Sequence, residues 1–476
     1  MSQHGNSLIE THGIDVIPLS ERYGSPVSLG TFWFGTQLSA SNLLLGALGP
    51  ALGLDFRTSV LVILLANVAG AIMTAYATTI GPLTGQSQIE SGAAAFGRCN
   101  RVPALLLWLT TVGWGGLNSL FGIVAISLLL GIPLGWGVLA CFVCQATLSV
   151  MGYEALHKFA KMLSVVMALL FAVLTWRIVS QFGTTASPST TVEGWPRFSN
   201  IIIVFMAQMS AVMTWAPFGS DFSRYLPPTT RRSAVFGWTF LGSSLSALWV
   251  ELLGLGVSGM VINAGITGAP AAMETLMGGA NFAGQITLLA VFLNSLATSA
   301  IDYYTGGLSL QTAGVRLSRP IVVLLMGVLT FFVSLWFLYG SNDLLNRSQN
   351  FLLLVGYWVS PWFAIILIDW QSRIRHLTMS GPAPISVMHG GGGALGALAL
   401  GFLAALPFSR TSIGDAVAAA HPGSPLEWVL GGLSRLALHG ADFGFVSGFV
   451  VASLAYLAIL RSRQPVTALT DYSGIS

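Results

Sequence analysis

Blocks of about 20 mostly apolar residues recur along the chain, separated by short stretches of Gly, Pro, Ser and charged side chains. A helix rises 1.5 Å per residue, so about 20 residues cross the roughly 30 Å hydrocarbon core of a bilayer. Twelve such blocks are present, at 28–50, 57–82, 102–130, 134–152, 159–182, 199–219, 234–262, 283–314, 320–340, 349–369, 386–407 and 440–460. Their apolar residues run continuously instead of alternating, which excludes the in-and-out period of a membrane β-barrel. The pattern predicts an all-α membrane protein of about twelve transmembrane helices, each satisfying its own backbone. The longer connections at 183–198, 263–282 and 408–439 have room for short lid-like helices and none for a soluble domain.

Two blocks depart from the rule. The first mixes Gly35, Gln37, Ser39, Ser41 and Asn42 where lipid contact favours Leu and Ile, and the sixth carries Gln208, Ser210, Thr214, Trp215, Pro217 and Gly219. Pro217 removes a helical hydrogen bond and clashes with the preceding turn. Helices 1 and 6 are therefore expected to break at mid-membrane. If the first ten helices form two halves of five, these two hold corresponding positions, which in transporters points to the binding site. Small residues also serve close helix packing. Four polar residues in under two turns exceed that need, because long amides do not help helices approach. Unwound carbonyls are suited to a cation, and half-helix amino termini to electronegative solute atoms.

Other helices carry polar groups at useful spacing. Trp114 and Asn118 are four apart and share a face, offering an aromatic plane beside an amide, or else a packed Trp and an interhelical bond. Thr298 and Asp302 share a face of the eighth block in the same way. A carboxylate near the middle of a membrane helix costs about 2.5–3.5 kcal/mol or more to insert and is by default a functional hypothesis. Glu251, in the seventh block, is a second buried acid, open to a structural hydrogen bond or to proton coupling.

Composition agrees with lipid as the solvent. The 476 residues are 54% hydrophobic and 8% charged, with mean hydropathy +0.76, too little polar surface for a soluble protein of this size. The net charge of +3 comes from scattered single cations, which make no stripe for nucleic acid. They follow topology instead. Fourteen of the twenty (Arg22, Arg98, Arg101, Lys158, Lys161, Arg224, Arg231, Arg232, Arg316, Arg319, Arg373, Arg375, Arg461, Arg463) fall on one set of connections. Arg57, Arg177, Arg197, Arg347, Arg410 and Arg435 fall on the other. By the positive-inside rule both termini are expected in the cytoplasm. The first 27 residues lack a basic stretch followed by an apolar core, so no cleaved signal peptide is expected. Cys99, Cys141 and Cys144 are read as packing residues, and His157, His376, His389, His421 and His439 form no catalytic or metal-binding constellation. An enzyme is not expected.

Several stretches match a known family in order. Ile17-Pro18 and Glu21-Arg22-Tyr23-Gly24-Ser25-Pro26 lead into Trp33-Phe34-Gly35, followed by Gly81-Pro82-Leu83-Thr84-Gly85 and Gly113-Trp114-Gly115. Ser220-Asp221-Phe222-Ser223-Arg224-Tyr225-Leu226-Pro227 and Tyr304-Thr305-Gly306-Gly307-Leu308-Ser309 complete the set. On these residues the chain resembles the purine/cytosine permease family of nucleobase:cation symporters, over residues 15 to about 370. The resemblance implies a LeuT-like fold of five plus five inverted helices with two more at the end. Residues 1–27 then form a cytoplasmic segment, 28–182 and 183–370 the two repeats, 371–461 the two additional helices and 462–476 a cytoplasmic tail.

Carried over residue by residue, the resemblance implies that substrate stacks on Trp114 beside Asn118. It also assigns Ser39, with Gln37 close by, and the segment Val212 to Trp215 on helix 6. The family's helix-eight amide falls on Asp302, a departure that leaves both substrate and coupling ion open. A sodium site would fall on Gly35, Leu38, Ala297 and Thr298, with Ser299. The resulting expectation is a symporter for a nucleobase-like planar heterocycle in the cell's inner (plasma) membrane, working as a monomer by alternating access. Its substrate residues are Trp114, Asn118, Gln37, Ser39, Gln208, Trp215 and Asp302. Sodium or a proton is the coupling ion, with Asp302 and Glu251 as proton candidates, and no other cofactor or metal and no nucleic acid are expected. The alternative is a solute-sensing receptor or channel on the same scaffold without coupled flux.

Overall fold

The computed structural model describes residues 13–150, 153–182, 191–315, 317–340, 343–380 and 391–462. The rest of the expected terminal segments, parts of the connections, and Arg316 and Arg463 lie outside the described residues. So do the side chains of Lys158, Lys161, Arg319 and Arg375. The described chain is helical, with no strand among these residues.

Twelve spans follow the twelve apolar blocks. α1 is split into Val27–Thr36 and Ala40–Gly46. α2 is Phe56–Thr78, α3 Arg101–Leu130, α4 Leu134–Val150 and α5 Tyr153–Arg177. α6 is split into Gly194–Met213 and Gly219–Ser223. α7 is Arg232–Gly256, α8 Phe282–Thr312, α9 Arg319–Tyr339 and α10 Leu344–Ser380. α11 is Gly392–Ala405 and α12 Gly444–Ser462. Among the described residues eight of these are long and apolar enough to cross a membrane by themselves. The other four are the broken α1, the shorter α4 and α11, and α9, whose apolar stretch is Leu324–Tyr339.

The boundaries depart from expectation in two places. α7 stops at Gly256 instead of running to 262, because Val257 leaves helical geometry before a separate turn of helix, Ser258–Asn263. α10 runs on to Ser380, so the expected domain boundary at 370 falls inside a helix. The Asp369–Arg373 ion pair at 2.6 Å, one turn apart, supports that extension. Short helices do occupy the connections, with Gly268–Leu276 before α8 and Ser412–Ala420, Pro425–Val429 and Gly432–Ala437 between α11 and α12.

The pattern of neighbours is that of an internal repeat. Exchanging the first five helices with the second five maps the principal packing pairs onto themselves. The pair α1–α7 corresponds to α6–α2, α1–α5 to α6–α10, α3–α9 to α8–α4, and α5–α8 to α10–α3, while α2–α7 and α3–α8 map onto themselves. Five is an odd number of crossings, so the second repeat starts from the opposite face and is inverted. This is the LeuT-like five-plus-five arrangement, with α11 and α12 packed together against α10. The same pairs define two bodies. α1, α2, α6 and α7 form one, which we call the bundle, and α3, α4, α8 and α9 form the other, the scaffold. α5 and α10 each touch a member of both.

In lipid, helices gain little from hydrophobic burial, so packing at small residues carries much of the association. The second half of α1 meets α7 backbone to backbone. A Cβ on Gly46 would lie 2.0 Å from the Glu251 carbonyl oxygen, and one on Gly254 would lie 2.0 Å from that of Leu43. Gly46→Ala and Gly254→Ala are each expected to destabilise the protein by about 1–3 kcal/mol through overpacking. Gly237→Ala, also on α7 but facing open space, is expected to have no such effect. Thermal unfolding in detergent checks the contrast.

Candidate functional site

Both breaks sit deep in the bundle. Ser39 takes an extended backbone conformation and caps the second half of α1, its Oγ accepting the Asn42 N–H at 3.3 Å. The Asn42 side-chain amide donates to the Gln37 carbonyl at 2.7 Å and to Gln37 Oε1 at 3.2 Å, and Ser39 and Ser41 hydroxyls bond at 2.8 Å. Half of the polar cluster is thus occupied in satisfying the interrupted backbone. Gln37 keeps its Nε2 buried without a partner.

In α6 the helix ends at Met213, passes through a tight turn at Ala216–Phe218 containing Pro217, and resumes at Gly219. Trp215 lies in the break, edge-on to Trp33 at 5.7 Å and to Phe218 at 5.2 Å between ring centres. Gln208 lies away from this break. Its Nε2 donates to the Leu45 carbonyl at 3.2 Å, which makes it a brace between α6 and the second half of α1. Gln208 was expected to meet the solute, and only the neighbouring backbone shows what it meets here.

The scaffold contributes a second group. Asn118 on α3 donates through Nδ2 to Asp302 Oδ2 on α8 at 3.1 Å, with both residues buried. One turn earlier, the buried Trp114 ring meets Phe351 of α10 edge-on at 5.5 Å. Asn67 on α2 likewise donates to Glu251 Oε2 on α7 at 2.8 Å. Each amide–acid pair joins two helices that the repeat maps onto each other, and each spans the same 184 residues of sequence. One pair staples the scaffold and the other the bundle. Glu251 therefore lies apart from the Trp114, Asn118 and Asp302 group, and its Oε1 is buried without a partner.

Between α1, α5, α7 and α8 lies a crevice of about 670 Å³ whose walls include Gly35, Ala297, Thr298, Asn294 and Ser164. Thr298 Oγ1 shares its proton between the carbonyls of Asn294 at 3.0 Å and Ser295 at 3.1 Å, leaving its oxygen lone pairs available. The Ser164 hydroxyl lies against Gly35, where a Cβ would come within 2.0 Å of it. Uncharged carbonyl and hydroxyl oxygens of this kind suit a hard monovalent cation.

One residue expected here is turned elsewhere. Ser299 faces α3 and α4, where Gln145 Nε2 donates to it at 3.1 Å and the Ser119 hydroxyl lies 3.3 Å away. One residue along a helix is a rotation of 100°, enough to move it out of the crevice. Leu38, expected to offer a backbone carbonyl, has its side chain buried in the core and closes its N–H onto the Gly35 carbonyl at 3.2 Å. Ser164, Asn294, Asn67 and Phe351 were not anticipated. The signal for Ser164 was present as a lone hydroxyl in an apolar run, but nothing in the sequence says which helix it will face.

A family profile described as permease for cytosine/purines, uracil, thiamine and allantoin matches residues 16–431. A putative purine-cytosine permease, YxlA, of Bacillus subtilis (strain 168) is 25% identical, over 96% of each chain. The vitamin B6 transporter TPN1 of Saccharomyces cerevisiae is 24% identical, over 75% of this chain and 65% of that one. Among solved structures, Mhp1, a nucleobase-cation-symport-1 family transporter in a closed conformation with bromovinylhydantoin bound, superposes with a TM-score of 0.71. Identity is 14%, and 96% of each chain is covered.

If sodium occupies the crevice, it should raise the unfolding midpoint of the purified protein by mass action. Thr298→Val and Ser164→Ala are expected to diminish that rise, while Ser299→Ala is expected to leave it intact. A sodium titration followed by thermal unfolding, with choline as the control cation, measures all three.

Proposed function

The chain belongs to the family of permeases for cytosine/purines, uracil, thiamine and allantoin, and we propose that it is a secondary active symporter importing a nucleobase or related planar nitrogen heterocycle. The observation that carries this reading is the buried Asn118–Asp302 bond, one turn from the Trp114 ring, in a scaffold that faces two broken helices. The chemistry of similar proteins supports the same class. Purine-cytosine permeases, a vitamin B6 transporter and a protein binding a hydantoin all handle planar, nitrogen-containing rings.

In this proposal the solute stacks on Trp114, a contact worth about 1–3 kcal/mol for a base on an aromatic ring. Its polar edge meets Asn118 and Asp302, with the free Nε2 of Gln37 and the capping Ser39 on the bundle side. Trp215 supplies a further ring at the α6 break. An ionised carboxylate accepts several hydrogen bonds, and Asp302 has one from Asn118. A solute offering ring N–H or amine donors completes it. A solute presenting only acceptors leaves a buried charge unpaired, which binding strongly disfavours.

A cation in the crevice between α1 and α8, on Gly35, Ala297, Thr298 and Ser164, favours the state open to the face opposite the amino terminus. Rocking of the bundle against the scaffold then exposes the site to the other face. In this reading the amino-terminal face, which carries most of the basic connections, is the cytoplasmic one, the membrane is the cell's inner (plasma) membrane, and a monomer is the working unit. Proton coupling is the second reading, favoured by Glu251, whose Oε1 is buried without a partner and so has room for a proton. A receptor or channel without coupled flux is the alternative that the uptake measurement excludes.

Uptake of a labelled heterocycle panel by proteoliposomes, with sodium and proton gradients imposed separately, is expected to show concentrative import of at least one donor-bearing ring. No uptake of any member under either gradient contradicts the symporter reading. Trp114→Ala is expected to abolish that uptake without loss of folded protein, as binding weakens roughly 5- to 150-fold. Unchanged kinetics would remove the stacking role. Asp302→Asn is expected to shift preference toward rings with acceptor edges, and an unaltered ranking of the panel counts against the pairing assigned to Asp302.

A further inference from the structure

Two of the sequence motifs play no part in the site described above, namely Ser220 to Pro227 after the α6 break and Tyr304 to Ser309 near the end of α8. In the fold they meet on the amino-terminal face. Asp221 is wholly buried, its Oδ1 accepting from the Gln88 N–H at 2.9 Å and its Oδ2 from the Thr305 hydroxyl at 2.8 Å. Gln88 Oε1 in turn accepts from the Ser220 hydroxyl at 2.6 Å. Three residues on, the buried Arg224 guanidinium donates to the Tyr304 hydroxyl at 2.9 Å and to the Gly13 carbonyl at 2.9 Å. Residues three apart on a helix share a face, so one turn at the end of α6 grips Tyr304 and Thr305, two consecutive residues of α8.

The bodies to which these residues belong give the contacts their meaning. Ser220 and Ser223 bond the same short helix to the Ala77 and Thr78 carbonyls at the end of α2, at 3.3 and 2.7 Å, which keeps it within the bundle. Asp221–Thr305 and Arg224–Tyr304 instead cross from bundle to scaffold. The chain before α1 lies over the junction, with the Ile17 N–H bonded to the Gly85 carbonyl at 2.9 Å and the Tyr23 N–H to the Tyr225 carbonyl at 2.7 Å. Any rocking that opens this face must part α6 from α8 and so break both crossing bonds.

We propose that Asp221 and Arg224, gripping Thr305 and Tyr304, form the lock that holds the amino-terminal face shut, with residues 13–24 as its cover. The inference goes beyond the solute reading and takes from it only the relative motion of the two bodies. Charged groups suit the task. Parted in a dry interior they would be stranded at high cost, but water entering the opening face rehydrates them. Opening and wetting are therefore coupled, and the lock is reversible where an apolar seam of equal area would expose grease to water.

The test uses full-length protein in lipid nanodiscs and proteoliposomes. Thr305→Val removes one crossing bond while keeping the side-chain shape. Hydrogen exchange is expected to speed up about tenfold, the factor for losing one hydrogen bond to a charged acceptor. The rise should reach not only Gly219–Ser223 but also residues 13–24 and the crevice-lining turn of α8 at Asn294–Thr298. A rise confined to within one turn of residue 305, or none, overturns the proposal, because a merely structural bond has no reason to report at the crevice.

A second arm compares one protein with itself. Asp221→Cys with Thr305→Cys, in a background of Cys99→Ser, Cys141→Ala and Cys144→Ala, is oxidised to the disulfide, verified by mass spectrometry, and then reduced. The oxidised form is expected to lose uptake of whichever panel ring wild type carries, and reduction to restore it. Equal uptake in both redox states overturns the lock. Should no ring be carried at all, the solute reading fails while the exchange measurement still decides the lock.

Discussion

An unwound backbone at bilayer depth has no water to turn to, and this constraint governs the centre of the molecule. The break in α1 exists because Ser39 and Asn42 take over the hydrogen bonds that the helix gives up. The break in α6 exists because Pro217 cannot continue the helix and the chain tightens into a short turn before resuming. Polar side chains near such a break therefore have two possible duties, to the backbone or to a solute. Asn42 and the capping Ser39 serve the first, and Gln37 keeps a donor free.

The inverted repeat distributes the remaining polar groups. Its axis brings α2 to α7 and α3 to α8, and at each meeting an amide holds an acid, Asn67 with Glu251 and Asn118 with Asp302. A lone carboxylate in lipid is expensive, and pairing across the repeat is what makes both tolerable. The two pairs have different surroundings. Glu251 is enclosed within the bundle, behind the close contact of α1 and α7, whereas Asp302 lies a turn from an aromatic ring on the scaffold. Similar chemistry thus staples the bundle in one place and the scaffold in the other, where the proposed function adds a role in recognition.

The two-body arrangement also assigns work to the ends of the broken helices. A continuous α6 would transmit any tilt rigidly from one face to the other. Broken, its short second half stays with α2 through Ser220 and Ser223 and meets the scaffold through Asp221 and Arg224. The same interruption that unwinds the backbone in the middle of α6 therefore frees a separate element at the face.

The sequence alone was enough for everything that depends on local pattern. Continuous apolar runs specified twelve helices, Pro217 and the cluster from Gly35 to Asn42 specified the two breaks, and acids at membrane depth marked Asp302 and Glu251. Motif order specified the family. Helical periodicity shows which residues share a face, but which face meets which neighbour is decided by contacts between segments far apart in the chain. For that reason Thr298 and Ser299, adjacent in sequence and alike in chemistry, part company, one to the crevice and one to Gln145. Gln208 proved to brace Leu45, and Ser164 entered the crevice because Gly35 leaves room for it. α10 ran past its apolar block to Ser380, with Asp369 paired to Arg373 one turn beyond that block. Pattern fixes what each helix is made of, and only packing in three dimensions settles what each polar atom touches.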